Sequence, residues 1–244
     1  MTAANADEIA KFSALAKEWW DPDGPLKGLH LLQPARLQFI RSRALGHFLR
    51  DPKQRRPFVG LSGLDFGCGA GLVTEPLARL GFAMTGADGS GEAIAAAQAH
   101  AQPQGLAIDY RETTEHVLTA EGRQFDLLTA LELVEHVDDR RGFLITLGHL
   151  VKPGGLLILS TLNRTPQAYA LGIVAAERVL GWAPPGAHEH AKFVTPEELR
   201  ADVEAAGLTP EGPFGLAFDL LSRDFKLSSD ASINYFLCGR KPSS

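Results

Sequence analysis

Cysteine is scarce in this chain of 244 residues: only Cys68 and Cys238 occur, far apart. A disulfide-stapled secreted domain would be dense in them, so reduced thiols in a cytoplasmic protein are expected. Positive charge is not in excess either. The 24 Lys and Arg face 29 Asp and Glu, for a net charge of −5, and the sequence pI is near 5.9. Nucleic-acid binders carry a basic face, so nucleic acid is not an expected partner. No uninterrupted apolar run reaches the ~20 residues that span a bilayer. The opening MTAANADEIAKF has neither an apolar signal core nor an arginine-rich transit pattern. Internal repeats and low-complexity tracts are absent. Apolar residues make up 45% of the chain, and the length suits one large α/β domain or two small ones.

The apolar spacing divides the chain. Residues 5–19 and 33–50 read as helices, with a Pro- and Gly-punctuated loop between them. Together with DPKQRRP they form an N-terminal helical arm, 1–57. From 58 to 244 short apolar runs alternate with helical stretches. Strands are predicted at 61–66, 82–87, 106–110, 125–130 and 155–161. Helices are predicted at 72–80, 90–100, 114–121 and 140–150. Strands buried on both faces read as apolar runs, and parallel strands need helical crossovers. The fold class is therefore α/β with a doubly wound sheet. An insert, 164–192, follows the fifth strand with its own helix near 167–180. TPEEL then opens a helix near 195–206, with Thr195 as N-cap, Pro196 at the first helical position and Glu198 completing a capping box. The tail, 208–239, reads as two more strands.

The stretch LDFGCGAGLVTEPLARLGFAMTGAD holds the chemistry. A dinucleotide fingerprint is G-x-G-x-x-G/A. Here the third position falls on Leu72, and the pattern is instead D-x-G-x-G-x-G. Gly67, Gly69 and Gly71 let the backbone turn sharply and approach a ligand. Asp65 can accept a hydrogen bond from a cationic amino group. Asp88 ends the second strand, where a carboxylate can take both hydroxyls of a ribose. An amino acid at one end and a nucleoside at the other describes S-adenosylmethionine. The constellation resembles the glycine motif and acidic-ribose pair of class I methyltransferases. That resemblance implies a mostly parallel seven-stranded sheet with an antiparallel last strand.

The fourth strand runs into LELVEHV at the carboxyl edge of the sheet, where ligands bind in open α/β folds. Leu131 lies there, followed by Glu132, Glu135 and His136. One reading is that Glu-His merely shapes the start of the next helix. Another is a divalent-cation site that holds a catecholate oxygen. A third makes Glu135 or His136 the base that deprotonates a phenol, whose pKa is roughly 10. The residues alone leave the three open.

Three further stretches narrow the family: KFSALAKEWWDPDGPLKGLHLLQPARLQFI, STLNRTPQAYALGIVAAERVLGWAPPGAHEHAKFVTPEEL and INYFLCGRK. Together they resemble the ubiquinone-biosynthesis O-methyltransferase family, which methylates polyprenylated catechols and phenols. The resemblance covers nearly the whole chain. It implies S-adenosylmethionine contacts at Arg36, Gly67, Asp88 and Leu131, with Arg36 pairing the cofactor carboxylate. It also implies a metal set, such as for Mg2+, of Glu132, Glu135 and His136. Two departures stand out: Ala70 replaces a glycine of the usual loop, and Leu131 replaces the common methionine.

The insert is apolar around most of its predicted helix. That suits either core packing or contact with a membrane or lipid substrate, at the inner face of the cell membrane. Other ubiquinone-biosynthesis proteins are further partners that the family implies. His188 and His190 follow the insert's helix and are read either as solvated or as a substrate-side base. Trp19 and Trp20 are read either as walls of the substrate pocket or as core. Two alternatives to the quinone reading stand beside it. One is a methyltransferase of a soluble small molecule; the other is an inactive lipid-binding assembly factor.

Overall fold

The computed structural model describes residues 10, 13, 15–170, 189–219 and 224–243. A long helix, α1 (Lys27–His47), leads into β1 (Ser62–Phe66). Then follow α2 (Thr74–Arg79), β2 (Ala83–Asp88), α3 (Gly91–Ala101), β3 (Asp109–Glu112), α4 (Glu115–Ala120), β4 (Phe125–Leu131), α5 (Arg140–Leu150) and β5 (Val151–Leu162). After a single helical turn at Pro166–Ala168 come α6 (Pro196–Ala205), β6 (Thr209–Asp219), β7 (Asp224–Ser228) and β8 (Asn234–Arg240). The sheet order is β3-β2-β1-β4-β5-β8-β6-β7. The first five strands pair in parallel. β8 runs antiparallel to both β5 and β6, and β7 antiparallel to β6. The strand order reverses between β1 and β4, and this switch point opens a crevice at their carboxyl ends.

The doubly wound sheet is the one the alternation predicts, with three differences. Among the described residues the tail holds three strands rather than two, and the sheet eight rather than seven. β7 is an edge strand whose residues are mostly exposed, so DFKLS lacks the apolar alternation that would mark it. β3 begins at Asp109, not 106, because Leu106 and Ile108 pack on α3 before pairing starts. α1 begins at Lys27 and carries Pro34 inside it. Prolines and glycines before residue 34 read as loop, yet the buried face of the helix outweighs the one hydrogen bond that Pro34 forfeits.

Alternate residues of a strand face opposite sides of the sheet, and β5 shows what this does to the core. Leu156 and Ile158 join Phe39, Ile40 and Ala44 of α1, Leu77 of α2, and Phe236 of β8 on one face. Leu157 and Leu159 join Phe143, Leu144 and Leu147 of α5, Leu199 and Val203 of α6, and Tyr235 on the other. The N-terminal arm's helix is thus part of one layer. α6 starts with the predicted capping box: Glu198 N donates to Thr195 Oγ1 at 3.3 Å, and Thr195 N donates to Glu198 Oε2 at 3.1 Å. The helix predicted at 167–180 lies outside the described residues from 171 onward, as does His188. Among the described residues no helix is long and apolar enough to cross a membrane.

Ile40 is fully buried under the sheet. Ile40→Ala should lower unfolding free energy by about 2–5 kcal/mol through lost transfer energy and the cavity left behind. A denaturant midpoint that does not move would show that α1 is not part of the cooperative core.

Candidate active site

Where β1 ends, the chain turns on glycines. Gly67 N and Cys68 N both donate to Ala87 O of β2, at 2.8 and 3.1 Å. Gly67, Gly69 and Gly71 have φ of +74°, +51° and +92°, a region L side chains rarely enter. Space is as tight as geometry. A Cβ on Gly69 would lie 2.1 Å from Cζ2 of Trp19, and one on Gly71 would lie 2.2 Å from the Tyr110 hydroxyl oxygen. Ala70, the departure from the family loop, is not among the positive-φ residues, so its methyl is tolerated.

Asp88 at the end of β2 fastens this loop. Its Oδ2 accepts from Gly69 N and its Oδ1 from Ser90 N, both at 2.9 Å. Each oxygen keeps a lone pair for a further donor. Burial pushes the Asp88 carboxyl above its ordinary value, against the N–H groups of Ser90, Gly69 and Gly89 that hold it down. Asp65 sits beneath. Thr74 Oγ1 donates to its Oδ2 at 2.6 Å and Thr129 Oγ1 to its Oδ1 at 2.8 Å. This buried carboxylate therefore ties α2 and β4 to β1. At 3% exposure it offers almost no surface to a ligand's amino group. Burial raises its pKa, Asp88 adds to that, and Arg36 opposes it.

The tryptophans pack on the glycine loop. Trp19 is buried with Ala70, Leu72 and Leu26. Trp20 Nε1 donates to Ala70 O at 3.1 Å, and its ring stacks on His100 with centroids 3.5 Å apart and planes 9° from parallel. His190 packs edge-on against Tyr169 and Phe193, with its Nε2 3.0 Å from Thr165 O.

Arg36 of α1 is 4% exposed. Its Nη2 lies 3.0 Å from Glu132 Oε1, but neither Nη2 nor Nε has an aligned hydrogen-bond partner. Glu132 follows β4 with φ +50°. Ser160 Oγ donates to its Oε1 at 2.7 Å, and Asn234 Nδ2 lies 3.1 and 3.2 Å from its two oxygens. Glu135 is 4% exposed and accepts from Thr161 Oγ1 at 2.8 Å. Ser160 and Thr161 are neighbours on β5, so they face opposite sides of the sheet. Glu132 therefore meets the α1 face and Glu135 the α5–α6 face. The expected cation set of Glu132, Glu135 and His136 thus has its two carboxylates bonded to neighbouring β5 residues that face opposite sides of the sheet. Among the described residues no group of three His, Cys, Asp or Glu side chains could hold a metal ion. The expected catalytic pair is also divided by burial, since His136 is half-buried while Glu135 is nearly enclosed. Leu131 is partly buried in the apolar cluster of the α1 face, at the mouth of the crevice. Thr74, Thr129, Ser160 and Asn234 were not anticipated, although the last two lie in the STLNR and INYFLCGRK stretches.

A family model described as a methyltransferase domain matches residues 38–211. The ubiquinone biosynthesis O-methyltransferase of Roseobacter denitrificans is 47% identical over 242 residues, 99% of this chain and 98% of that protein. The one from Caulobacter vibrioides is 49% identical over 231 residues, 94% and 92% of the two chains. The chain belongs to the ubiquinone biosynthesis O-methyltransferase family. Solved structures more distant in sequence share the fold. Magnesium protoporphyrin IX methyltransferase from Synechocystis PCC 6803, with bound SAH, aligns at TM-score 0.63 with 17% identity, over 96% of this chain and 93% of that one. The DhpI–SAH complex aligns at 0.60 with 21% identity, over 96% of each.

In this family member the glycine loop is tested by Gly69→Ala. The new methyl meets both an unfavourable φ and the Trp19 ring, so stability should fall by about 1–3 kcal/mol or more. Tryptophan emission should shift to longer wavelength as Trp19 is displaced. An unshifted spectrum with full stability would contradict the packing described.

Proposed function

We propose that this chain methylates a phenolic hydroxyl of a polyprenylated catechol or phenol, using S-adenosylmethionine, in ubiquinone biosynthesis. The cofactor and the class of reaction follow from the family. The observation that carries the binding assignment is the buried guanidinium of Arg36, whose Nε and Nη2 have no aligned hydrogen-bond acceptor although Glu132 Oε1 lies 3.0 Å from Nη2. A buried donor without an acceptor is costly and is kept where a ligand supplies one. Arg36 would hold the cofactor carboxylate, the backbone of Gly67–Gly71 the methionyl portion and Asp88 the ribose diol. Leu131 contributes an apolar wall.

When bound, the cofactor supplies a methyl group on a sulfonium, an already activated leaving group. The phenolic oxygen forms the new C–O bond as the C–S bond breaks, releasing S-adenosylhomocysteine. The protein's tasks are then to align oxygen and methyl in line, to exclude water and to remove the phenolic proton. We assign the proton to His136, the more exposed member of the Glu135–His136 pair. No step is assigned to a cation. The prenyl chain places the substrate at a lipid surface. The apolar insert 164–192 is the segment we assign to peripheral contact there; of it, 171–188 lie outside the described residues.

The reaction is tested with labelled S-adenosylmethionine and a short-chain demethylated quinol. Turnover is expected; binding without turnover would favour an assembly factor. His136→Ala should lower kcat by about 10²–10⁴-fold with little change in KM for the cofactor. A raised KM with kcat unchanged would remove His136 from proton transfer. Asp88 generates a pH prediction. Its carboxyl is held above the ordinary value, so it protonates earlier than a free aspartate as pH falls. Cofactor affinity should therefore weaken on the acid side, beginning above the free aspartate pKa of about 3.9. Asp88→Asn should flatten that limb and weaken affinity by about 1–3 kcal/mol. Calorimetry against pH reads both.

A further inference from the structure

The structure assigns Glu132 to positioning Arg36 for the cofactor's carboxylate; this rests on the cofactor reading above. Four stretches remote in sequence meet here. Arg36 comes from α1, Glu132 from the end of β4, Ser160 from β5 and Asn234 from β8. The Glu132 carboxylate is their hub: Ser160 Oγ at 2.7 Å, Asn234 Nδ2 at 3.1 Å and Arg36 Nη2 at 3.0 Å all converge on Oε1.

The geometry separates two roles a carboxylate can play toward an arginine. A partner that closed on Arg36 would grip Nε and Nη2 together, because these two nitrogens form one edge of the guanidinium and match a carboxylate fork. Glu132 does not do this. Its oxygens are engaged by the hydroxyl of Ser160 and the amide of Asn234. It sits close enough to Nη2 to balance the buried positive charge, yet both Nε and Nη2 keep unaligned hydrogens. The pair thus offers a desolvated cation whose fork is open. A ligand carboxylate completes it.

The backbone supports the same assignment. Glu132 holds φ +50°, a conformation disfavoured for residues other than Gly, Asn and Asp. Strained backbone of this kind is kept where the surroundings over-determine it, commonly at ligand sites. Glu132 N donates to Ser160 O at 2.9 Å, so main chain and side chain are both fixed to β5. The turn aims this carboxylate at α1, while Glu135, three residues on, meets Thr161 on the opposite face.

The test is binding of S-adenosylhomocysteine by calorimetry in the presence of a chelator, which removes any cation contribution, with cofactor kcat and KM measured alongside. Arg36→Ala should raise Kd by about 10- to 100-fold through loss of the fork. Glu132→Gln keeps the shape but removes the charge, and should raise Kd by about 10-fold. Asn234→Ala should act in the same direction. Glu132→Asp keeps the charge and tolerates the left-handed turn, and should recover part of the loss. For each, the rise in cofactor KM should exceed any fall in kcat. The Arg36→Ala/Glu132→Gln double variant should bind no more weakly than Arg36→Ala alone, because the two residues act as one unit. If Arg36→Ala leaves Kd unchanged, the cofactor reading of Arg36 fails. If Arg36→Ala weakens binding but Glu132→Gln and Asn234→Ala do not, or if the two losses simply add, the positioning role is overturned while the cofactor reading stands. Should Glu132→Gln fail to fold, Glu132→Asp and Asn234→Ala decide the question.

Discussion

The carboxylate of Asp88 holds two segments of chain in a fixed relation, and the site depends on it. Through Gly69 N it fixes the loop after β1, and through Ser90 N it fixes the start of α3. With Ala87 O accepting from both Gly67 and Cys68, the loop is drawn onto the end of β2. In that close approach Gly69 packs against Trp19 and Gly71 against Tyr110, leaving no room for a Cβ at either. The same approach brings Asp88 near enough to Asp65 to push the Asp65 pKa up. The glycines and the acids are therefore one device: the first let the loop close on its neighbours, while Asp88 ties that loop to the start of α3 and Asp65 ties α2 and β4 to β1.

Much of this is legible in the sequence. Alternating apolar runs and helical stretches gave the parallel half of the sheet nearly element by element, because strands buried on both faces have no other way to read. D-x-G-x-G-x-G located the loop; that Asp88 fastens it comes from the structure. Less visible was whatever depended on burial rather than pattern. The bonds of Asp65 to the hydroxyls of Thr74 and Thr129 are not visible in its spacing. β7 escaped notice because an exposed edge strand needs no apolar alternation. Proximity in sequence does not show that Glu132 and Glu135 bond residues on opposite faces of the sheet. A left-handed turn at a non-glycine residue has no compositional signature.

β5 acts as a partition between two polar clusters. Ser160 serves the Arg36–Glu132 network under α1, and Thr161 serves Glu135 under α5 and α6. The same alternation divides the apolar core, with Leu156 and Ile158 on one side and Leu157 and Leu159 on the other. The chain thus keeps two acids close along the backbone while giving them separate surroundings. A cationic partner neutralises one of them, and a hydroxyl on the far side meets the other.

The position of β8 has a consequence for how the molecule is made. It is synthesised after β5 and β6, yet it lies between them. A nascent chain without residues 234–240 would carry two uncovered strand edges, each awaiting the same late segment. Its arrival closes the sheet and, in the same event, delivers Asn234 to the Glu132 carboxylate. Assembly of the hydrophobic layers and of the buried charged cluster are thereby made to finish together, so an incomplete polypeptide leaves Glu132 without the Asn234 amide.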